Sequence, residues 1–332
     1  MRILFVTNMY PSPQRQGYGA FVWQQAEQLR RFGHTVDVVN ILGFRSKLNY
    51  LKAAVAVLRK TSSTPYDIVH AHYGLSAFPA WFRLQAPLVI TLHGSDLLGG
   101  HCERLCTSAI CHFADAVIVV SEEMRQRVPG TVIPCGVDLN LFRPYSRNEA
   151  RARLSWPLDK YLILFPFDPG RRLKRYDLAK AAVERLKEDG IGAELVTVFG
   201  VENREMPWHY SAADAMILCS DREGSPTSIK EALACDLPVV ATDVGDVREI
   251  LSGVPGTRLC TQDVSELARN LREVLDIPRS ARSERRAAMA QYDQALVVEK
   301  VIAVYNRALA ESTASRRRLP TESTAESTRS VE

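Results

Sequence analysis

The chain has 332 residues, 46% of them hydrophobic and 24% charged, with a formal net charge of +4. That length and mix suit two folded units with separate cores, and so small a charge excess argues against a dedicated nucleic-acid binder. No run approaches the roughly 20 apolar residues of a membrane span. The seven cysteines are scattered and no secretory leader precedes Pro11, so reduced thiols in a cytoplasmic protein are expected.

Short, continuously apolar runs alternate with helical patterns along the chain. RILFVT (2–7) is followed by a helix pattern over 19–33, then by TVDVVNI (35–41), DIVHAH (67–72), PLVITLHG (87–94), AVIVVS (116–121) and TVIPCG (131–136). Such runs predict parallel strands covered by helices on both faces. The segment 142–153 is polar after Phe142-Arg143-Pro144 and reads as a linker. The alternation then restarts with LILFPF (162–167), a helix over 177–188, ELVTVFG (194–200), AMILCS (215–220), PVVATD (238–243) and GTRLC (256–260). A helix is expected from Val264, and a last one over 294–311 with Leu296, Val297, Val301 and Val304 as its apolar face. The expectation is α/β: two doubly wound parallel-sheet domains facing across a cleft. Their bounds are read as 1–145 and 146–293, with 312–332 a disordered tail.

In doubly wound sheets ligands bind beyond the carboxyl ends of the strands, which selects four loops. They carry Gly17 and Gly19, then His93, then Arg171, Arg172 and Lys174, then Glu223 through Pro226. Pro226 suits a first helical turn and Ser225 can cap it. The turn Gly224, Ser225, Pro226, Thr227, Ser228 would then offer free N–H groups to an anion, helped by the helix dipole. Lys174, Arg171 and Arg172 add positive charge. A carboxylate does not bind phosphate but accepts hydrogen bonds from vicinal hydroxyls. Glu231 could thus hold a ribose and Glu223 a second polyol, with a diphosphate between them.

These residues carry a resemblance. The Glu-x7-Glu pair Glu223…Glu231, the stretch EALACDLPVVATDVGDVREI after it, GYGAFVWQQAEQLRRFGHTVDVV, ADAVIVVSEEM, IPCGVDLNLFRP and YSAADAMILCSDREGSP together resemble the GT-B glycosyltransferases of the large retaining family four. They span most of residues 1–252, and their spacing is most similar to bacterial cell-surface polysaccharide enzymes. The resemblance implies the GT-B fold, with an acceptor-side first domain joined by the last helix, and a donor-side second domain. It implies transfer from a nucleoside-diphosphate sugar, UDP- or GDP-linked, to a hydroxyl of a glycan or lipid-linked glycan. Glu231 matches the ribose-holding glutamate, Glu223 the one facing the donor sugar, and His93 the histidine beside the anomeric centre. Gly17 and Gly19 match the glycine loop, and Lys174 the diphosphate-binding cation. The family's arginine six residues before that lysine is Asp168 here, so Arg171 or Arg172 is left to replace it.

No Asp-x-Asp occurs, so no metal or other cofactor is expected. The cluster His101, Cys102, Cys106, Cys111, His112 lacks zinc-site spacing and reads as a plain helix. His70 and His72 read as structural at a strand end, with the alternative that one of them lines the cleft. For the apolar stripe Leu48, Leu51, Val55, Leu58 with its basic rim Arg45, Lys47, Lys52, Arg59 and Lys60, the plainer reading is a core-facing helix. The sharper one is a helix docking on anionic lipid at the inner face of the membrane. Three rival functions stand beside transfer. A nucleotide-sugar epimerase would act without acceptor, and a non-catalytic partner subunit would bind without turnover. A nicotinamide oxidoreductase lacks its third fingerprint glycine after Gly17-Tyr18-Gly19.

Overall fold

The structure, a computed structural model, describes residues 1–12, 15, 17–98, 100–277 and 283–318. The apolar runs become two all-parallel sheets. The first contains β1 (Arg2–Thr7), β2 (Thr35–Asn40), β3 (Ile68–His72), β4 (Leu88–Leu92), β5 (Ala116–Val119) and β6 (Thr131–Val132), in the order β2-β1-β3-β4-β5-β6. The second contains β7 (Tyr161–Phe165), β8 (Ala193–Thr197), β9 (Ala215–Leu218), β10 (Val239–Thr242) and β11 (Thr257–Cys260), in the order β11-β10-β9-β7-β8. Strand order reverses between β1 and β3 in one sheet and between β7 and β9 in the other. Those reversals open crevices at the strands' carboxyl ends, and the loops 8–19, 168–174 and 219–226 issue from them. β3, β4 and β9 are buried at every residue, which is why they read as mostly apolar runs rather than as alternation; in β3 His70 and His72 are buried as well.

The helix Gln294–Arg318 returns to the first sheet. Val297, Val298, Val301, Val304 and Tyr305 pack with Ile3, Phe5, Val22 and Ile68 in one core. The chain therefore crosses between the halves twice, and the two crossings touch. Val137 N–H donates to Tyr292 O, and Gln294 N–H to Val137 O, each at 2.9 Å, a single parallel bridge between Val137 and Asp293.

Four expectations are corrected. The polar run read as a linker holds the helix Arg147–Leu154. Its Arg151 is fully buried, because the guanidinium donates to Ala212 O, Pro157 O, Lys160 O and Asp214, an arrangement that meets the cost of burying a charge. The tail expected from 312 is helical to Arg318; no Gly or Pro interrupts the sequence between Gln294 and Leu319, so nothing ends the helix earlier. The rest of that tail, 319–332, lies outside the described residues. Leu296, expected on the apolar face, is exposed.

The helix Leu48–Ser63 reverses the plainer reading of its stripe. Ala53, Ala54 and Val57 face the core, while Leu48, Leu51, Val55 and Leu58 are 65%, 56%, 49% and 42% exposed. Small alanines allow the helix to lie close to the sheet and turn its larger residues outward. Trp81 and Phe82, on the neighbouring turn, are exposed as well.

Candidate active site

Glu231 lies one turn into the helix Thr227–Ala234, and this helix starts without a side-chain cap. Ser225, expected to cap it, is engaged elsewhere. Its hydroxyl donates to Asp246 at 2.5 Å and accepts from Lys230 Nζ and from Cys135 N–H. Pro226 occupies the cap position and Thr227 begins the helix. The first-turn N–H groups of Thr227 and Ser228 thus meet no cap from this strand-to-helix loop, and they carry the positive end of the dipole.

Glycines bring the two halves together here. Gly94 has φ 117, and a Cβ on it would stand 2.8 Å from Gly224 N; a Cβ on Gly224 would stand 2.3 Å from His93 O. No side chain fits at either position, so the loop after β4 rests on the loop after β9. Gly19 starts the helix Ala20–Arg31 at φ 73, against the Met9 carbonyl, and Gly17 faces Val201 O of the second half.

Around this junction the sequence candidates converge. Lys174, 7% exposed, forms an ion pair with Glu223, and its ammonium sits 4.1 Å from the Phe167 ring. Ser220 Oγ donates to the same Glu223 oxygen at 2.7 Å. The sequence reading gave the lysine and this glutamate separate ligands; the fold makes them partners. Glu231 accepts from Tyr210 OH at 2.9 Å and is 8% exposed. Burial pushes its carboxyl up to about 7, against the hydrogen bonds of Tyr210 and Asn203, which favour the charged form. His93 Nε2 lies 3.2 Å from His72 Nδ1, and burial lowers its pKa to about 3, so the imidazole is neutral. His70 is bound between Tyr305 OH at 2.6 Å and Thr91 Oγ1 at 2.7 Å. Arg171 and Arg172 are exposed on the loop after β7, and Arg171's charge reaches Tyr18 of the glycine loop. Asp168 serves its own turn, accepting Gly170 N–H at 2.9 Å. Among the described residues no group of three or more His, Cys, Asp or Glu could hold a metal ion.

Several residues at the junction were not singled out from sequence. Lys230 is fully buried; besides Ser225 it holds Cys135 O at 2.8 Å and Asp246 at 3.2 Å. It therefore fixes the start of the first crossing to the helix Thr227–Ala234. A lysine between Ile229 and Ala232 in an apolar helix was the signal. Tyr210 and Asn203 had none, because only the fold puts them beside Glu231.

Two parallel-sheet halves joined by a double crossing, with these loops facing each other, define a GT-B glycosyltransferase. The description "Glycosyltransferase Family 4" matches residues 23–141, and "Glycosyl transferases group 1" matches residues 174–276. TuaC of Bacillus subtilis, named as a glycosyltransferase of teichuronic acid biosynthesis, is 27% identical over 323 residues, covering 75% of this chain and 83% of TuaC. A D-inositol 3-phosphate glycosyltransferase of Mycolicibacterium paratuberculosis is 30% identical over 324 residues, covering 80% of this chain and 73% of that one. Among solved structures, sucrose-phosphate synthase of Thermosynechococcus elongatus superposes with a TM-score of 0.77 at 21% identity, over 93% of this chain and 99% of that one. Anabaena HepE in complex with UDP superposes with a TM-score of 0.69 at 17% identity, over 92% and 100%. The chain belongs to the family four, or group 1, glycosyltransferases, and is a TuaC-like member of it.

Proposed function

We propose that this enzyme is a retaining glycosyltransferase that moves a sugar from a nucleoside-diphosphate donor to a hydroxyl of a cell-surface glycan or lipid-linked glycan, without a metal. One observation carries the reading. A buried cation, Lys174, is ion-paired with Glu223 beside an uncapped helix start, and Glu231 stands one turn further in. A diphosphate between two polyols matches that order of charges. Lys174 and the helix N-terminus stabilise the negative charge that develops on the leaving diphosphate, helped by Arg171 or Arg172. Glu231 holds the ribose and Glu223 the donor sugar. His93, neutral, offers a hydrogen bond near the anomeric carbon.

The exposed apolar stripe of Leu48–Ser63, rimmed by Lys47, Lys52, Arg59 and Lys60, favours a lipid-linked acceptor met at the cytoplasmic face of a membrane. Apolar side chains and cations on one helix face suit an anionic interface. No helix among the described residues is long and apolar enough to cross a membrane, so contact would be peripheral.

The test is a panel of UDP-, GDP- and ADP-sugars scored by melting shift, followed by product analysis in EDTA. A glycoside with the donor's anomeric configuration is expected. An inverted product rejects retention, and loss of turnover on chelation, restored by Mg²⁺, rejects the metal-free mechanism. Isomerised donor without acceptor would identify an epimerase, and binding without turnover a partner subunit.

A further inference from the structure

Two histidines at the carboxyl ends of neighbouring strands share one hydrogen bond, and its direction decides what His93 can offer a ligand. His72 ends β3 and is fully buried, and His93 follows β4. His72 Nδ1 lies 3.2 Å from His93 Nε2. The ring planes are 16° from parallel and the centroids 5.4 Å apart. Nitrogens that approach so much closer than the ring centres place the rings edge to edge, so the lone pair of one faces the proton of the other. The backbone holds this arrangement. Tyr73 N–H donates to Thr91 O at 2.9 Å, and Tyr73 takes φ 81, a left-handed conformation uncommon outside glycine.

Both imidazoles are neutral, because burial lowers their pKa values, so a single proton lies between them. If His93 donated it, His72 would carry its own proton on Nε2. That nitrogen is buried and meets no hydrogen-bond partner among the described residues. Its ring packs against those of Phe5 and His70, with centroids 4.5 and 4.1 Å away. A buried N–H without an acceptor is rarer than an acceptor without a donor. His72 is thus the donor, from Nδ1, and His93, accepting at Nε2, keeps its own proton on Nδ1. His93 Nδ1 is turned away from the sheet, toward Cys135 Sγ at 4.0 Å. Cys135 stands where the halves meet, its N–H donating to Ser225 and its carbonyl accepting from Lys230. Burial pushes its thiol up to about 11, so the sulfur is a weak acceptor and leaves the Nδ1 proton to a ligand.

We propose that His72 is a positioning residue that fixes the proton of His93 on Nδ1, the nitrogen facing the junction of the halves, so that the imidazole meets the donor sugar as a hydrogen-bond donor. The proposal rests on the reading of His93 as the residue beside the anomeric carbon. Without His72 the ring is free to carry its proton on either nitrogen. In the form with the proton on Nε2, only a lone pair meets the sugar.

Nitrogen-15 NMR of the intact chain at neutral pH reads the tautomer without any substrate, the His93 signals being assigned by their loss in His93→Gln. A proton-bearing Nδ1 and a bare Nε2 are expected; a proton on Nε2 overturns the proposal. The same spectrum is then taken of His72→Phe, which keeps a ring in place and removes the donor. Its His93 nitrogens are expected to average between the two forms, and kcat to fall about 3- to 10-fold, the range of one neutral hydrogen bond. Calorimetry should find UDP, GDP or ADP bound as by the intact chain, because the contact is on the sugar side. A merely structural His72 would lower melting and leave the tautomer alone. Nδ1–H persisting in His72→Phe, an unchanged kcat, or an equal loss of nucleotide affinity overturns the positioning role. If the intact chain turns over no nucleotide sugar, the reading of the enzyme fails, and the nitrogen shifts still decide where the proton lies.

Discussion

Replacing Glu231 by glutamine should make the unliganded enzyme more stable and a poorer binder at once. The carboxyl is pushed from 4.5 to about 7, chiefly by burial. At about 1.4 kcal/mol per pH unit, that destabilises the charged form by about 3 kcal/mol, a ceiling because water penetration relaxes it. Between 4.5 and 7 the folded chain keeps a proton that the unfolded chain has released. The destabilisation is therefore absent below pH 4.5, grows through that window and is complete above pH 7. Glutamine still accepts from Tyr210 but carries no charge to bury. Calorimetric melting of Glu231→Gln should match the parent at pH 4.5 and exceed it by several degrees at pH 8. Diphosphate affinity at pH 8 should fall on the order of 10- to 100-fold, the value of hydrogen bonds to a charged group. An advantage that is the same at both pH values, or full affinity in the variant, would refute the argument that one buried charge both holds the ribose and strains the fold.

Glu223→Ala should lower kcat on the order of 100-fold, because a carboxylate near the donor sugar interacts most strongly with the charge that grows there in the transition state. Free diphosphate should bind it at least as well, since Lys174 loses its partner; loss of that binding would transfer the nucleotide role to Glu223. Exchanging Lys52, Arg59 and Lys60 for Glu should abolish a salt-sensitive attachment to anionic vesicles, attraction that physiological salt screens within about 8 Å; attachment that persists, or none in the parent, rejects the docking face. Deleting 319–332 should leave melting and turnover intact. Deleting 294–332 removes Val297, Val298, Val301 and Tyr305 from the first core and should abolish folding, since each large buried side chain contributes about 2–5 kcal/mol; unchanged melting would contradict the helix's place in that core.

The strands were legible because parallel strands covered on both faces are apolar at most positions; His70 and His72 in β3 are buried exceptions. The loops that carry Glu223, Glu231, Lys174 and His93 followed from the rule that ligands meet strand ends. Arg151 was not legible, because its partner Asp214 lies 63 residues away and a buried arginine looks like a solvated one until that partner is known. The stripe on Leu48–Ser63 misled for a related reason. Periodicity locates an apolar face but does not say whether the sheet or the solvent receives it, and here the alanines took the sheet. The ion pair of Lys174 with Glu223 and the contact of Asn203 with Gln24 join segments distant in sequence, so spacing held no trace of either.

The bridge between Val137 and Asp293 binds the outgoing and returning strands of the chain into one spine. A molecule joined by a single strand could twist or slide its halves at little cost. With two strands hydrogen-bonded side by side, both must bend about the same line, and opening and shutting like a book is the motion that leaves the bridge intact. The spine also makes the join redundant. A protease cut at residues 138–146 would yield two fragments that remain together, because the return strand and the helix Gln294–Arg318 still tie the second half to the first core.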